Sequence, residues 1–241
     1  MDLDPDLAGL RLLGGFFVLR MDDGADDGAA PVRRLPTLQE AYDEALARRV
    51  ETVGSRLGTR ETRVAASIAQ QGLAARLWSA ALGCSVLYGG LPDLDPRLLR
   101  WDTAAGCPDD LWLTELRPLP GDPATLAATV LGGHLEPLTD ALRTRYGVAA
   151  GLLWGNAGSA LAAAARELSR WARGSGRTDV ADRARALTAE LFTHPLLNAT
   201  GTRTGTAFRR RSCCLYYRVP GGGVCGDCCF DRPPGLSLQG S

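Results

Sequence analysis

Two adjacent cysteines, Cys213 and Cys214, are followed by ten residues and then by Cys225-Gly226-Asp227-Cys228. Thiols retained only as small apolar side chains have no reason to crowd in this way, whereas thiolates are soft, anionic metal ligands. The expected chemistry is therefore metal binding. In Cys225–Cys228 the two intervening residues let the chain turn until both sulfurs face one side, and Gly226 permits the tight backbone. Such a knuckle serves zinc and iron–sulfur sites alike. The other half is not a knuckle. Neighbouring side chains on an extended strand point to opposite faces, so Cys213 and Cys214 share one site only if the backbone departs from extended geometry. A two-iron centre accommodates an adjacent pair more readily than a single tetrahedral ion, because it offers two points of attachment. A Rieske centre would need two histidines. The chain has His134 and His194, neither beside a cysteine, and both read as core or helix-end residues.

Three further cysteines complete the seven: Cys84, Cys107 and Cys229. Cys84 and Cys107 read as structural thiols, and Cys229 as a spare thiol beside the knuckle. An odd count with five crowded together fits a secreted disulfide framework poorly. The apolar stretch Leu7–Leu19 follows an acidic segment rather than a basic one, so no secretory leader is expected. The sequon Asn198-Ala199-Thr200 is then accidental. The expected compartment is reducing, with thiols free to take metal.

The 241 residues are 45% hydrophobic, enough for one large domain or slightly more. The formal net charge of +0 excludes a global field that would draw nucleic acid or an anionic membrane. All 27 basic residues are arginine, a compositional bias with no functional meaning. Asp22–Gly28 is acidic but lacks the alternating ligands and closing glutamate of an EF-hand, and reads as a solvated loop. Tyr146–Ala165 is uncharged and long enough to span a bilayer. Its alanines, glycines, Asn156 and Ser159 make it a buried core helix instead.

These elements must position the thiols. Thr37 with Glu40 forms a capping box, and Leu38, Tyr42, Ala45 and Leu46 share the face that follows. Apolar recurrence predicts helices at Glu61–Leu82, Pro123–Leu131, Glu136–Tyr146, Leu152–Arg173 and Thr178–Phe192. Ser85–Tyr88 and Leu111–Leu116 read as short strands able to pair. Gly201–Phe208 reads as a polar, basic loop and Cys214–Val219 as strand, with Gly221–Gly223 reversing the chain. The expected fold is mainly α (α+β): a helical domain over residues 1–200, containing a short hairpin or two-stranded element, and a cysteine-rich module over 201–241.

The CC-x10-C-x2-C arrangement resembles the iron–sulfur signature of FhuF-type ferric-siderophore reductases. Arg210-Arg211-Ser212-Cys213-Cys214-Leu215-Tyr216-Tyr217-Arg218 is similar to that family's approach to its cluster, and Leu153-Trp154-Gly155-Asn156-Ala157-Gly158-Ser159-Ala160 to its helical core. The resemblance implies a [2Fe–2S] cluster held by Cys213, Cys214, Cys225 and Cys228. It implies one-electron reduction of ferric iron in an imported siderophore by a cytoplasmic protein, at most loosely associated with the inner face of the membrane. The electron would come from a ferredoxin or flavoprotein. Such a cluster carries charge −2 oxidised and −3 reduced, so Arg209, Arg210, Arg211 and Arg218 would raise its potential or attract anionic partners. Two other readings stand beside this one. Zinc or a cluster could merely staple a non-catalytic binding protein, or the chain could be part of a siderophore synthetase, though it has no P-loop.

Overall fold

The computed structural model describes residues 7, 9–22 and 35–234. The acidic residues 23–28 lie outside it, and the side chains of residues 43 and 44 are likewise not described. Two 3₁₀ turns, Leu10–Leu13 and Gly15–Phe17, lead into β1 (Arg20–Met21). The Thr37–Glu40 capping box forms as expected, starting one helical turn, Leu38–Glu40. A π-helical segment, Ala41–Ala45, carries it into α1 (Leu46–Leu57). Leu38, Tyr42, Ala45 and Leu46 are all buried.

The body is organised around two long helices, α2 (Thr62–Tyr88) and α5 (Ala150–Gly174), which pack against each other more extensively than any other pair. Many of their buried residues are small, among them Ala66, Ala69, Ala74, Ala157, Ala160 and Ala164. Small side chains let the helix axes approach closely. Between them in sequence come β2 (Gly90–Pro92), β3 (Leu99–Trp101), β4 (Leu111–Leu113) and β5 (Pro118–Pro120). A short helix α3 (Pro123–Ala127) follows, capped by Asp122. A π segment, Ala128–Leu135, joins it directly to α4 (Glu136–Tyr146). After α5 come α6 (Thr178–Leu191), the single turn α7 (Pro195–Asn198) and a hairpin of β6 (Gly201–Thr204) and β7 (Ala207–Arg210).

Several local expectations change. Ser85–Tyr88 is not a strand: α2 runs through it and ends at Gly89, whose φ of +76° closes the helix in the left-handed region. Ser85 returns its hydroxyl proton to the Ala81 carbonyl, and Cys84 and Val86 are fully buried. Burial here outweighs the strand preference of a β-branched residue. Leu111–Leu113 is a strand, shorter than expected, and it pairs parallel to β1 and antiparallel to β3. The segment expected as a basic loop after Asn198 is the β6–β7 hairpin, with Gly201 opposite Arg210. The charge-free stretch Tyr146–Ala165 crosses a helix end, since Gly147 adopts φ +62° and caps α4. Among the described residues no helix is long and apolar enough to cross a membrane.

Candidate metal centre

The hairpin lies close against α5 because Gly155 and Gly158 leave room where the two approach. A Cβ on Gly158 would stand 2.5 Å from Thr200 Oγ1, and one on Gly155 would overlap Ser212 Oγ. Phe208 of β7 inserts into the main core. The backbone then leaves β7 and reaches Cys213 and Cys214. Expected as strand, Cys214–Val219 instead turns sharply. Leu215 sits at φ +69°, and a 3₁₀ turn, Tyr216–Arg218, follows. This is the departure from extended geometry that an adjacent cysteine pair requires.

Each of the four spaced cysteines accepts a backbone N–H from the residue two positions ahead. Leu215 N–H donates to Cys213 Sγ at 3.2 Å and Phe230 N–H to Cys228 Sγ at 3.4 Å. Tyr216 N–H serves Cys214 and Asp227 N–H serves Cys225. Cys229 has only its own N–H nearby. The thiols themselves fall into pairs. Cys225 donates to Cys214, which holds Cys214 down to about 7 and pushes Cys225 up by the same hydrogen bond. Cys213, raised by burial, lies within electrostatic range of both Cys229 and Cys228. Among the described residues no group of three or more His, Cys, Asp and Glu side chains is arranged to hold one metal ion.

The four arginines flanking the cysteines divide sharply. Arg209 is exposed and pairs with Asp231 at 2.9 Å. Arg211 is exposed. Arg218 pairs with Glu61 at 2.7 Å, which raises its own pKa. Arg210 alone is buried, at 2% exposure. Its Nη2 donates to Asn156 Oδ1 and to the Leu152 carbonyl, while Nε and Nη1 have no hydrogen-bond partner in the protein. Its charge acts on Cys213, Cys214, Cys225 and Cys229, in each case favouring the thiolate.

A buried polar chain ties this cation and the first thiol pair to both central helices. Asn156 Nδ2 donates to the Ser67 carbonyl at 2.9 Å, and Ser67 Oγ donates to the Cys214 carbonyl at 2.8 Å. Asp227, inside the Cys225–Cys228 turn, is buried as well. It accepts from Ser159 Oγ at 2.6 Å and pairs with Arg166 at 3.0 Å, and its carbonyl receives the Arg210 N–H. Apart from Asp227 these positions lie outside the cysteine motif. The one sequence signal for them was the presence of Asn156 and Ser159 in the charge-free stretch that ends at Ala165. His134 is buried between Tyr42 and the Leu94 carbonyl, with both ring nitrogens engaged there, and His194 caps α7.

The residues fit a two-iron cluster. Four thiols with four N–H donors suit anionic sulfur, and the two unpartnered nitrogens of a buried guanidinium, Nε and Nη1, call for an anionic acceptor beside them. Comparison with known families agrees. A family described as "Ferric iron reductase FhuF-like transporter" matches residues 64–204, and one described as "FhuF 2Fe-2S C-terminal domain" matches residues 210–230. No curated protein matches the chain. With α2 through β6 covered by the first match and every spaced cysteine by the second, the chain belongs to the FhuF-like ferric iron reductase family and carries its [2Fe–2S] C-terminal domain.

Proposed function

We propose that the iron this reductase acts on is held in a siderophore, and that Cys213, Cys214, Cys225 and Cys228 are the four cluster ligands. The observation that carries the ligand assignment is the N–H donor reaching each of these sulfurs from two residues ahead, a pattern Cys229 lacks. Bound there, the cluster supplies a one-electron store. The protein's own residues do the rest. Arg210 offsets the negative charge of the thiolates from a site closed to water, where a charge acts strongly. The turn at Leu215 and the Asp227 anchor fix the two halves of the donor set against α5.

Siderophores bind Fe(III) through hard anionic oxygens. One added electron weakens those bonds and speeds exchange, so no covalent bond to the protein is needed. The electron donor in this reading is a ferredoxin or flavoprotein, the compartment is the reducing cytoplasm, and residues 201–241 form the electron-carrying module. Anaerobic stopped-flow spectroscopy tests the reading. The chemically reduced holoprotein should be reoxidised by ferric siderophores with Fe(II) appearing in step. A colourless protein with stoichiometric zinc, or a reduced cluster indifferent to every ferric siderophore, would overturn it.

A further inference from the structure

Among the described residues five large apolar side chains stand exposed, and three of them belong to the cysteine segment: Tyr216, Val224 and Phe230, at 36, 40 and 37% exposure. All three adjoin thiols. Val224 precedes Cys225, and the backbone N–H groups of Tyr216 and Phe230 are those that reach Cys214 and Cys228. Cys213, Cys225 and Cys228 are themselves partly exposed, whereas Cys214 is buried. The Phe230 ring meets Tyr217 edge-on with centroids 5.9 Å apart, which joins the two halves of the segment.

Cations flank these side chains. Arg209 donates to the Cys229 carbonyl and pairs with Asp231, the residues on either side of Phe230. Arg218 lies within hydrogen-bonding reach of Tyr217 and pairs with Glu61. Such exposed ion pairs contribute little and exchange readily for others. Arg211 and Arg232 are exposed, and among the described residues no carboxylate pairs with either. Residues 209–232 hold five arginines and two aspartates in a chain whose formal net charge is +0. Asp227 is buried, so Asp231 is the one carboxylate this segment presents to solvent. The positive charge of the surface is thus concentrated where the sulfurs emerge.

We propose that this face docks an acidic electron-donor protein, whose apolar side chains cover Tyr216, Val224 and Phe230 and whose carboxylates meet Arg209, Arg211 and Arg232. The inference rests on the reductase reading and deepens it by stating the chemistry and the seat of the partner. The charges alone would suit any anion. The exposed apolar side chains select a protein, because an apolar centre with a charged rim, rich in aromatic residues and arginine, is the anatomy of a protein interface. A centre of three side chains suits the small, transient contacts through which electron carriers meet. Docking forms no covalent bond and moves no proton: the donor loses one electron and the holoprotein gains it.

The probe is an acidic [2Fe–2S] ferredoxin, oxidised so that no electron moves, titrated calorimetrically into the oxidised holoprotein. Binding should weaken with added salt, and about tenfold in the Arg211→Glu/Arg232→Glu double variant. Phe230→Ala should weaken it with the salt dependence kept, and Val224→Ser should do the same while leaving the Tyr217–Phe230 contact in place. A basic cytochrome c should not bind. Iron content, and the rate at which ferric siderophores reoxidise the chemically reduced protein, should hold in the double variant. Unchanged ferredoxin binding in the double variant and in Val224→Ser would overturn the proposal, as would equal binding of the cytochrome. Slower reoxidation by ferric siderophores with ferredoxin binding intact would assign the face to the chelate instead. A wild-type dimer that Val224→Ser dissociates would assign it to a second copy of the chain. If ferredoxin binds through these residues yet no ferric siderophore reoxidises the reduced protein, the reductase reading fails and the docking face stands.

Discussion

The hydroxyl of Ser159, midway along α5, donates to Asp227 Oδ2 at 2.6 Å, joining residues 68 positions apart. Ser159 is buried in the helical core and Asp227 sits between two thiols, so this bond locks the Cys225–Cys228 turn to the long helix. Arg166, about two turns further along α5, closes on the same carboxylate.

Removing that carboxylate should loosen the metal centre before it unfolds the body. Asp227→Ala leaves Ser159 and Arg166 without their acceptor and should cost about 2–4 kcal/mol. Asp227→Asn, which keeps the shape, should cost less. Urea unfolding measures the stability, and the rate of iron loss to a chelator measures the centre. Iron loss at the wild-type rate in Asp227→Ala would show that the turn holds without its anchor.

Arg210 is the buried cation among the four, and the potential should follow it. Arg210→Gln should lower the midpoint by on the order of 60 mV, the one-electron equivalent of a tenfold shift in equilibrium. Arg210→Lys should restore part of it. Arg209→Gln and Arg211→Gln, both on exposed side chains, should leave it near wild type because solvent screens them. Spectroelectrochemical titration of the four proteins decides whether burial sets the ranking.

Serine at Cys213, Cys214, Cys225 or Cys228 should abolish or severely deplete the cluster, while Cys229→Ser should be mild. Iron content and visible absorbance read this directly. Loss in Cys229→Ser with retention in Cys228→Ser would exchange the roles of those neighbours, both of which lie near Cys213.

Two glycine-to-alanine changes in α5 should have opposite signs. Gly151 is exposed with nothing near its missing Cβ, so Gly151→Ala should stabilise by about 0.5–1 kcal/mol through helix propensity. At Gly158 the added carbon meets Thr200 and Phe208, and overpacking should cost about 1–3 kcal/mol and lift the hairpin. Thermal unfolding of both variants, with iron content as the second readout, checks the pair.

His134 is fully buried, and burial lowers its pKa from 6.5 to about 4. The Leu94 carbonyl can only accept, so Nε2 carries the proton and Nδ1 accepts from Tyr42 at 2.8 Å. Unfolded chains bind this proton more readily than folded ones. Stability is therefore full above about pH 6.5 and declines as the pH falls towards 4, by roughly 3 kcal/mol in all. The difference in unfolding free energy between wild type and His134→Gln should shrink over that window. A constant difference from pH 7 to 4.5 would mean that His134 is not held neutral.

The sequence alone determined which residues could bind metal and where most helices lie, because both depend on short-range regularities. Thiol spacing is visible within sixteen residues, and the 3.6-residue period of Glu136–Tyr146 or Thr178–Leu191 needs no distant partner. Local reading failed where a distant contact outweighed a local preference. Ser85–Tyr88 has strand composition but is helical because it is buried in the core, and Cys214–Val219 has strand composition but turns at Leu215. Only the tertiary structure decided which of four neighbouring arginines is the buried one, since consecutive residues of a strand face opposite sides and α5 buries just one. It also decided the work of Ser67, Asn156, Ser159 and Arg166. Their hydrogen-bond partners lie 54 to 147 residues away, a separation that no pattern along the chain encodes.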